Sequence, residues 1–532
     1  PRIIRLPDVS EANSRHCFVF LEDMLMFYAA RFFVGYDLLE ARAFRITRDA
    51  DLYIDEEDAQ DLVVEVERQL KKRQRGQAVR LEFEVGTSRF MRRFMTQEMN
   101  LEKEDMYQID GPLDMTVFFG FCGIKGYNHL RYPEAHPHSP WSILELKRTP
   151  ETNIFDMIRE KDLLIHLPYE SFDESVVNFL YSAANDKDVL AIKQTLYRVS
   201  SSSPVVQALE KAVQNGKQVT VLMEVKARFD EANNILMARR LEKAGAHVIY
   251  GLVGLKTHSK CTLVIRREKD GIRRYVHVAT GNYNASTAKL YTDLGILTCN
   301  DRFGIDASAF FNLLSGYSDP PIWDSFIVAP INLRQRCIEL IDREIHFAKN
   351  GEDAHMIAKM NSLLDKGIIE KLYEASQAGV KIELIVRGIC VLIPGIPGVS
   401  DNITVRSIVG RFLEHSRIFW FRNGGREELY ISSADWMPRN LNDRVELMVP
   451  IEDPEIKRRL KQMVDIELSD NQKAHIMQAD GTWLKTISAE NQLCAQEYFQ
   501  KIAEKRDAED EMTLAQKLEP YTPVLGHGDG SD

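Results

Sequence analysis

A short histidine motif occurs twice in this chain. The first copy is Lys256-Thr-His-Ser-Lys260 and the second is Glu414-His-Ser-Arg417. In both copies a basic residue follows the histidine by two positions, so the two side chains would share one face of a strand. An apolar run follows each copy. Because repeated sequence units fold alike, the duplication predicts two related halves whose histidines, His258 and His415, serve one site.

Each copy also ends in a polar turn at a similar distance from its histidine. Asn282 follows His258 by 24 residues, and Asp435 follows His415 by 20 residues. A histidine nucleophile with cations around it suits transfer of a phosphoryl group. The residues alone leave two alternatives open, a structural histidine in a basic strand at 258 and a buried, hydrogen-bonded histidine at 415.

The side chains next to the histidines fit this chemistry. Lys256 and Lys260 flank the first histidine, where they favour a neutral imidazole and offset charge on phosphoryl oxygens. Arg411 and Arg417 lie on either side of the second histidine and favour a surface that faces phosphate. The second histidine could then exchange a proton opposite the first.

The same alternation of strands and helices surrounds both motifs. Each half contains an apolar strand, a helix that stops at a glycine, and a second apolar strand. Short apolar runs of this kind are typical of buried parallel strands, so the pattern predicts a duplicated α/β fold. The predicted elements are strands at 189–192 and 219–223 around a helix at 205–214, and strands at 354–360 and 380–386 around a helix at 367–377.

We divide the 532 residues into four predicted regions. Residues 1–145 are expected to form a mixed α+β domain that includes a helical stretch at 18–33. Residues 146–325 and 326–505 are expected to be the two duplicated α/β halves. Residues 506–532 are acidic and rich in glycine, proline and aspartate, and are expected to be a disordered tail.

Composition narrows the class of protein and partner. The chain is 44% hydrophobic and 28% charged, as in ordinary soluble proteins, and has no apolar run of membrane-spanning length. Its net charge of −11 argues against broad binding to nucleic acid, yet residues 251–300 hold eight Lys or Arg against three acids. A basic site in an acidic protein suits a polyanionic substrate. The seven scattered cysteines, with no C-x-x-C pair, disfavour a disulfide framework or zinc site and fit a reducing cytoplasm.

Arginines follow the predicted core strands in both halves. Arg198 and Arg228 follow strands of the first half, and Arg387 follows a strand of the second. Ligands of open α/β sheets bind at the carboxyl ends of strands, so these side chains are candidates for binding phosphate. For Arg198 and Arg228 the alternative is a pair of surface salt bridges with nearby acids such as Asp230.

A metal ion held jointly with phosphate would need carboxylates. Glu224, Asp230 and Asp293 are available, but they form no compact cluster in the sequence. We therefore expect any metal to be held mostly by the substrate.

Together these segments resemble the long-chain polyphosphate kinase family, the histidine-phosphorylating type with phospholipase-D-like catalytic domains. The resemblance covers most of residues 1–505. It implies a head domain at 1–145 that contributes to dimerisation, followed by two phospholipase-D-like domains; nothing here corresponds to the family's N-terminal helical domain. The motifs that carry it are Ile192-Lys-Gln-Thr-Leu-Tyr-Arg198, Lys226-Ala-Arg-Phe-Asp-Glu-Ala-Asn233, Lys256-Thr-His-Ser-Lys260, Thr280-Gly-Asn-Tyr-Asn284, Leu290-Tyr-Thr-Asp293, Gly410-Arg-Phe-Leu-Glu-His-Ser-Arg417 and Ile431-Ser-Ser-Ala-Asp-Trp-Met-Pro-Arg-Asn440.

The resemblance implies roles for individual residues. His258 matches the histidine that becomes phosphorylated, and His415 matches a second essential histidine that also contacts nucleotide. Tyr291 and Arg387 match nucleotide-contacting positions. Other candidates for binding substrate or nucleotide are Lys260, Asn282, Arg411 and Arg417.

The expected activity is that of an ATP:polyphosphate phosphotransferase, in which the γ-phosphate of ATP passes reversibly to inorganic polyphosphate through His258. Arg198 and Arg228 match the family's magnesium–phosphate site, where an arginine would bind the phosphates rather than the ion, and the expected cofactor is Mg²⁺. Expected partners are ATP or ADP, polyphosphate and further copies of the chain in a dimer or tetramer, without nucleic acid. The expected location is the cytoplasm, with peripheral association at the inner face of the membrane as an option.

Two other functions fit parts of the pattern. A phospholipase-D-like phosphodiesterase or nuclease would use one histidine as nucleophile on a diester and the other as acid for the leaving alcohol. A non-catalytic polyphosphate-binding protein would keep the basic site without transfer. The duplicated motifs alone do not separate these functions.

Overall fold

The structure is a computed structural model. It describes residues 1–7, 16–50, 62–73, 76–140, 143–144, 153–316 and 322–517, with side chains described as far as Arg506. The chain divides into two compact units, Pro1–Glu134 and Ala135–Asp532.

The first unit is a mixed α+β structure with two small sheets. Its described strands and helices are β1 (Ile3–Arg5), β2 (Phe18–Phe20), α1 (Leu21–Phe27), β3 (Phe44–Arg48), α2 (Leu62–Arg73), β4 (Ala78–Glu84), α3 (Arg89–Met99) and β5 (Met106–Ile109). Strands β1 and β2 pair antiparallel, while β4 pairs antiparallel with β3 and parallel with β5. The helix expected at 18–33 is wrong in part, because β2 comes first and α1 ends at Phe27.

Most strands of the second unit belong to two larger sheets. They are β6 (Leu163–Leu167), β7 (Val189–Leu196), β8 (Gln218–Met223), β9 (His247–Tyr250), β10 (Lys256–Thr257), β11 (Cys261–Glu268), β12 (Gly271–Ala279), β13 (Tyr291–Thr298), β14 (Ile327–Ala329), β15 (His355–Met360), β16 (Lys381–Val386), β17 (Ile403–Ile408), β18 (Leu413–Glu414), β19 (Ile418–Phe421), β20 (Glu428–Ser432), β21 (Arg444–Pro450), β22 (Ala474–Met477) and β23 (Trp483–Lys485).

The two sheets repeat one strand order. The first sheet runs β18-β13-β12-β11-β7-β8-β9, and the second contains β10-β21-β20-β19-β15-β16-β17 and continues to β22 and β23. In each sheet the two strands flanking the predicted helix pair parallel, and the next three form antiparallel neighbours. The predicted duplication and α/β class are confirmed.

Helices pack against both sheets and begin where the sequence supplies caps. They are α4 (Ile154–Glu160), α5 (Asn178–Asn185), α6 (Pro204–Gln214), α7 (Glu231–Ala244), α8 (Asp301–Leu314), α9 (Leu333–Lys349), α10 (Lys366–Gln377), α11 (Pro438–Asn442), α12 (Pro454–Leu468) and α13 (Ala495–Lys517). Ser203 caps α6 through the Val206 N–H, and Asp365 caps α10 through the Ile368 N–H. Both helices stop just before a glycine with positive φ, as the sequence pattern predicted.

A shared hydrophobic core joins the two sheets. It includes Leu263 and Phe310 from the part of the chain that forms the first sheet, and Trp420 and Val445 from the second. A further core, confined to the second sheet and its helices, surrounds Met356 and Trp436. Because one core spans both sheets, the loops between them are held in a fixed relation.

Two further observations concern the chain's end and its helices. Helix α13 continues to Lys517, into the region expected to be a disordered tail, and the rest of that region lies outside the described residues. Within the described ranges, no helix combines the length and apolar character needed to cross a bilayer.

Candidate active site

The two histidine segments cross between the sheets in opposite directions. Strand β10, which leads to His258, pairs parallel with β21 of the second sheet, and the chain then enters β11 of the first. Strand β18, which leads to His415, pairs parallel with β13 of the first sheet before the chain enters β19 of the second. Both histidines therefore lie at crossing points between strands. The expectation that each lies on the face of one strand is wrong.

His258 is buried, and its ring is fixed from two sides. Its Nδ1 lies 2.9 Å from both carboxylate oxygens of Glu446, which is on β21. The Tyr197 ring meets the imidazole edge-on, with 4.7 Å between ring centroids. Glu446 also accepts hydrogen bonds from Ser433 and Asn440, so its carboxylate is held in place. With Nδ1 donating to Glu446, Nε2 carries the lone pair.

His415 has a matching arrangement, with the acid supplied by the other sheet. Its Nδ1 lies 2.8 and 2.9 Å from the carboxylate oxygens of Asp293 on β13. Thr280 donates a 2.6 Å hydrogen bond to Asp293, and the Tyr291 ring lies 5.3 Å from the imidazole, centroid to centroid. Each histidine is thus oriented by a carboxylate from the opposite half of the second unit.

Burial favours the neutral form of both imidazoles. It lowers the pKa of His258 well below its usual range, and the charges of Lys260, Arg444 and Arg417 act in the same direction. Burial also lowers the pKa of His415, although Asp293 opposes the shift.

Two cations that follow the histidines are buried beside them. Lys260 donates to the backbone carbonyl of His258, and burial lowers the pKa of this lysine to about 7. Arg417 forms two 3.1 Å hydrogen bonds to Asp435 and lies 3.2 Å from the His415 ring. Opposing the effect of burial, Arg417 helps to hold the pKa of Asp435 at about 2. Arg417 is therefore a fixed guanidinium at the site.

Asn361 and Arg387 extend the site from the ends of β15 and β16. The Asn361 side chain donates to the carbonyl of His415 at 3.1 Å and to Asp435 at 3.1 Å. Its carbonyl oxygen accepts from Arg387 at 3.0 and 2.7 Å. Arg387, a candidate from the sequence, is thus connected to Arg417 through Asn361 and Asp435.

The other predicted residues lie at different distances from this centre. Arg198 is 5.7 Å from the Tyr197 ring that packs on His258, and it pairs with Asp230 at 2.9 Å. It also donates to the backbone of Arg228, whose side chain is exposed. The predicted alternative of a salt bridge is therefore realised for Arg198, while both side chains remain accessible to a ligand.

Asn282 and Arg411 are less directly connected to the histidines. Asn282 is half-buried, and its side-chain oxygen has no hydrogen-bond partner among the described residues. Arg411 lies over the Phe412 ring at 5.2 Å. No direct contact of either side chain with His258 or His415 is found in the described part of the structure.

The carboxylates considered for a metal ion are occupied by protein groups. Glu224 is fully buried and accepts the N–H groups of Lys226 and Thr257 at 2.8 and 2.7 Å. Asp230 pairs with Arg198 and Asp293 with His415. Among the described residues no group of three or more potential ligands could hold a metal ion.

Sequence reasoning missed Glu446, Tyr197 and Asn361. A signal for Glu446 was present, because Glu446 follows Asp435 by 11 residues and Asp293 follows Asn282 by 11 residues. The duplicated turn and acid therefore mark equivalent positions. Tyr197 and Asn361 carry no such local signal.

Comparison with known proteins identifies chains of similar sequence. Three family models match the chain: the polyphosphate kinase middle domain at residues 1–121, C-terminal domain 1 at 153–320 and C-terminal domain 2 at 326–496. A polyphosphate kinase of Halalkalibacterium halodurans is 52% identical over 89% of this chain and 66% of its own length. One from Bacillus anthracis is 49% identical over 92% of this chain and 69% of its own length.

The fold of the chain is also similar to that of a solved structure. The crystal structure of polyphosphate kinase from Porphyromonas gingivalis superimposes with a TM-score of 0.82 at 32% identity, covering 96% of this chain and 74% of that one. The chain spans about two thirds of the length of the curated relatives named above. Three family models that together match most of its residues, and relatives near 50% identity, show that the chain belongs to the polyphosphate kinase family.

Proposed function

We propose that this chain transfers the γ-phosphoryl group of ATP reversibly to inorganic polyphosphate, through a phosphohistidine on His258. The observation that carries the proposal is the pair of imidazoles, buried for His258 and largely buried for His415, each oriented by a carboxylate from the opposite half of the second unit, with Lys260 and Arg417 beside them. Family membership supports the substrate class, because the relatives are named polyphosphate kinases.

In the forward reaction the lone pair on Nε2 of His258 attacks the γ-phosphorus of ATP in line. The bond to the bridging oxygen breaks, and ADP leaves with the electron pair. Glu446 stabilises the imidazole as its ring becomes positively charged, since the carboxylate accepts the Nδ1 proton's hydrogen bond throughout. A terminal oxygen of polyphosphate then attacks the phosphorus, and the N–P bond breaks.

The surrounding cations stabilise charge on the transferring phosphoryl group. Arg417 is held by Asp435 and needs little reorganisation, and Lys260 becomes fully protonated beside a polyanion. We assign Arg198, Arg228 and Arg387 to the phosphates of nucleotide or polyphosphate. When bound, Mg²⁺ would neutralise charge on the nucleotide phosphates.

His415 is assigned to proton transfer and positioning. Its neutral ring, with the Nδ1 proton held by Asp293, can accept a proton at Nε2 and return it in a later step, and Tyr291 packs against it where a nucleotide base or ribose would pass. We also propose that the chain assembles as a homo-oligomer and is located in the cytoplasm, with peripheral contact to the membrane.

A labelling experiment tests the phosphohistidine. We expect γ-labelled ATP with Mg²⁺ to label the protein, with a label that acid removes and alkali spares. His258→Ala should abolish both labelling and polyphosphate synthesis, because it removes the only proposed nucleophile. His346→Ala, on the exposed face of α9, is the matched control and should behave as wild type. Acid-labile labelling of His258→Ala near the wild-type level would overturn the assignment.

The same experiment bears on the phosphodiesterase alternative. Hydrolysis of a diester without ATP-dependent labelling would favour that reading. Binding of polyphosphate without label or transfer would favour a non-catalytic role. Either result would contradict the proposed transfer.

A further inference from the structure

A buried polar cluster lies directly behind the segment that carries His415. We define it as the Lys359 cluster, consisting of Lys359 on β15, Glu414 on β18, Glu467 on α12 and Gln496 on α13. All four side chains are almost completely buried. Lys359 donates to Glu414 at 2.7 Å and also to Glu467. None of these residues was singled out by the sequence motifs as functional.

The side chain of Gln496 forms hydrogen bonds with both backbone groups of Phe412, a residue of the His415 segment. Its side-chain oxygen accepts the N–H of Phe412 at 2.9 Å, and its side-chain nitrogen donates to the carbonyl of Phe412 at 2.9 Å. The same nitrogen donates to Glu414 at 2.6 Å. The amide thus takes the place of a neighbouring strand for a segment whose own strand, β18, has only two residues.

The anchor that carries Gln496 is itself fixed. The N–H of Ala495, the first residue of α13, donates to Asp470 at 2.7 Å. The other carboxylate oxygen of Asp470 accepts from the backbone of Gln472, Lys473 and Ala474. The first turn of α13 therefore cannot shift without breaking several buried hydrogen bonds.

Glu414 connects the cluster to the imidazole. Thr292 on β13 donates to Glu414 at 2.7 Å, and its hydroxyl oxygen accepts the N–H of His415 at 3.2 Å. The neighbouring residue, Asp293, holds the His415 ring. Two neighbouring residues of β13, Thr292 and Asp293, therefore bind the backbone and the side chain of His415. Through its hydrogen bond with Thr292, Glu414 fixes the alignment of the His415 segment along β13.

Stability alone does not account for this arrangement. Buried ion pairs often contribute little net stability, because desolvation offsets their attraction, whereas they can specify one geometry among several. Glu414 accepts hydrogen bonds from three donors, whereas the Glu467 side chain accepts one from the described residues. Burial and the neighbouring Glu414 raise the pKa of Glu467 to about 7. The cluster is thus built around an ionised Glu414.

We propose that Gln496 is a positioning residue for His415, acting through the backbone of Phe412 and the carboxylate of Glu414. The proposal rests on the assigned role of His415 in transfer. Gln496 touches neither the imidazole nor a reacting atom. Its effect is to hold the segment 410–415 at the register in which the ring meets Asp293.

The first test replaces the amide with an apolar group of similar length. Gln496→Met should lower kcat for polyphosphate synthesis by roughly ten- to a hundredfold, as expected for small misplacement of a catalytic group, while the KM for ATP changes little. Gln500→Met, one turn further along α13, is the matched control and should keep wild-type kcat; the Gln500 side chain is only half-buried. Wild-type kcat in folded Gln496→Met would overturn the proposal.

A second variant tests for a pH dependence of kcat that would not arise if Gln496 only filled space. In Gln496→Glu the new carboxyl faces Glu414, with Lys359, Glu467 and Tyr169 beyond it. Burial and the adjacent carboxylate raise its pKa, so it should gain a proton as the pH falls. The protonated form can again donate and accept.

The ratio of Gln496→Glu to wild-type kcat should therefore rise as the pH is lowered from 8 to 6, while the Gln496→Met ratio stays flat. Equal pH dependence of the two ratios would overturn the proposal. If neither Gln496 variant folds, Thr292→Val supplies the test, since it removes the hydroxyl that joins Glu414 to the His415 N–H, and wild-type kcat there would also overturn it. If the wild-type chain transfers no phosphoryl group, the proposed function is contradicted. If wild type and Gln496→Met are equally active, only the positioning role is contradicted.

Discussion

At the scale of single residues, the site combines buried bases with buried acids so that each group has one preferred state. The imidazoles are neutral because burial disfavours their charged form. Asp293 and Asp435 stay ionised because His415 and Arg417 outweigh the effect of burial. A neutral nucleophile beside fixed cations is what attack on a polyanionic phosphate requires.

Lys260 leads to a prediction about pH. Burial lowers its pKa from 10.5 to about 7, so at pH 8 most molecules of free enzyme hold it uncharged. A bound polyanion favours the ammonium and raises that pKa again. Binding should therefore take up a proton at pH 8 and much less at pH 6, where Lys260 is already protonated.

Titration calorimetry with long-chain polyphosphate, in two buffers of different ionisation enthalpy, measures this uptake. Internal phosphates of a long chain do not titrate in this range, and Lys260→Met provides the comparison. Equal proton uptake by wild type and Lys260→Met at pH 8 would refute the prediction.

Arg198 and Arg228 lead to a prediction about rate. Arg198→Ala and Arg228→Ala should each reduce turnover about a hundredfold, which corresponds to roughly 3 kcal/mol in the barrier. Thermal stability should change little, because Arg198 is half-buried, Arg228 is exposed, and a surface ion pair contributes little. Arg240→Ala, which breaks the ion pair with Glu210 on the helix surface, is the control. A sharp fall in melting temperature with full activity per folded molecule would make these arginines structural.

At the scale of elements, helices with strong caps alternate with very short strands. Strands β10 and β18 have two residues each, yet they carry the chain from one sheet into the other. Such short strands gain little from their own hydrogen bonds, so their position depends on the longer elements around them. The longer strands β21 and β13, with which they pair, supply that support.

The cap of α6 can be tested directly. Ser203 is almost completely buried and accepts the N–H of Val206 at 3.3 Å. Ser203→Ala should lower the free energy of unfolding by about 1 kcal/mol. Urea unfolding measures the change, and activity per folded molecule should remain at the wild-type level. Ser202→Ala, exposed and next in sequence, should leave stability unchanged; equal losses for both variants would argue against the cap.

At the scale of the whole molecule, the reciprocal crossing makes the two sheets interdependent. Glu446 and His258 are 188 residues apart in sequence, and Asp293 and His415 are 122 apart. Neither sheet with its own chain segment contains a complete histidine–carboxylate pair. The shared core that includes Phe310 and Trp420 holds the two parts together.

A substitution in the second sheet should therefore disable the nucleophile of the first motif. In Glu446→Gln the amide can donate to Nδ1 of His258, which places the ring proton on Nε2 and removes the attacking lone pair. Labelling by γ-labelled ATP should slow by about 10⁴-fold, by analogy with the Asp-to-Asn change in a serine protease triad. Glu428→Gln, in the same sheet but paired with Arg343, should label normally. Normal labelling of folded Glu446→Gln would refute this dependence.

Short-range patterns in the chain were enough to predict many local elements and the duplication. The helix predicted at 205–214 is found at Pro204–Gln214, and the strand predicted at 219–223 is found at Gln218–Met223. These elements are readable because apolar periodicity, caps and terminal glycines act over a few residues. The paired motifs also identified His258 and His415 from neighbouring residues alone.

The groups that contact those histidines become evident only from the packing of the folded chain. The acid that meets His258 depends on β10 pairing with β21 in the register that sets Thr257 opposite Val445. Gln496 reaches the His415 segment only because α13 packs behind it. Such contacts join residues far apart in sequence, and they follow from the packing of one core shared by both sheets, which no local pattern encodes.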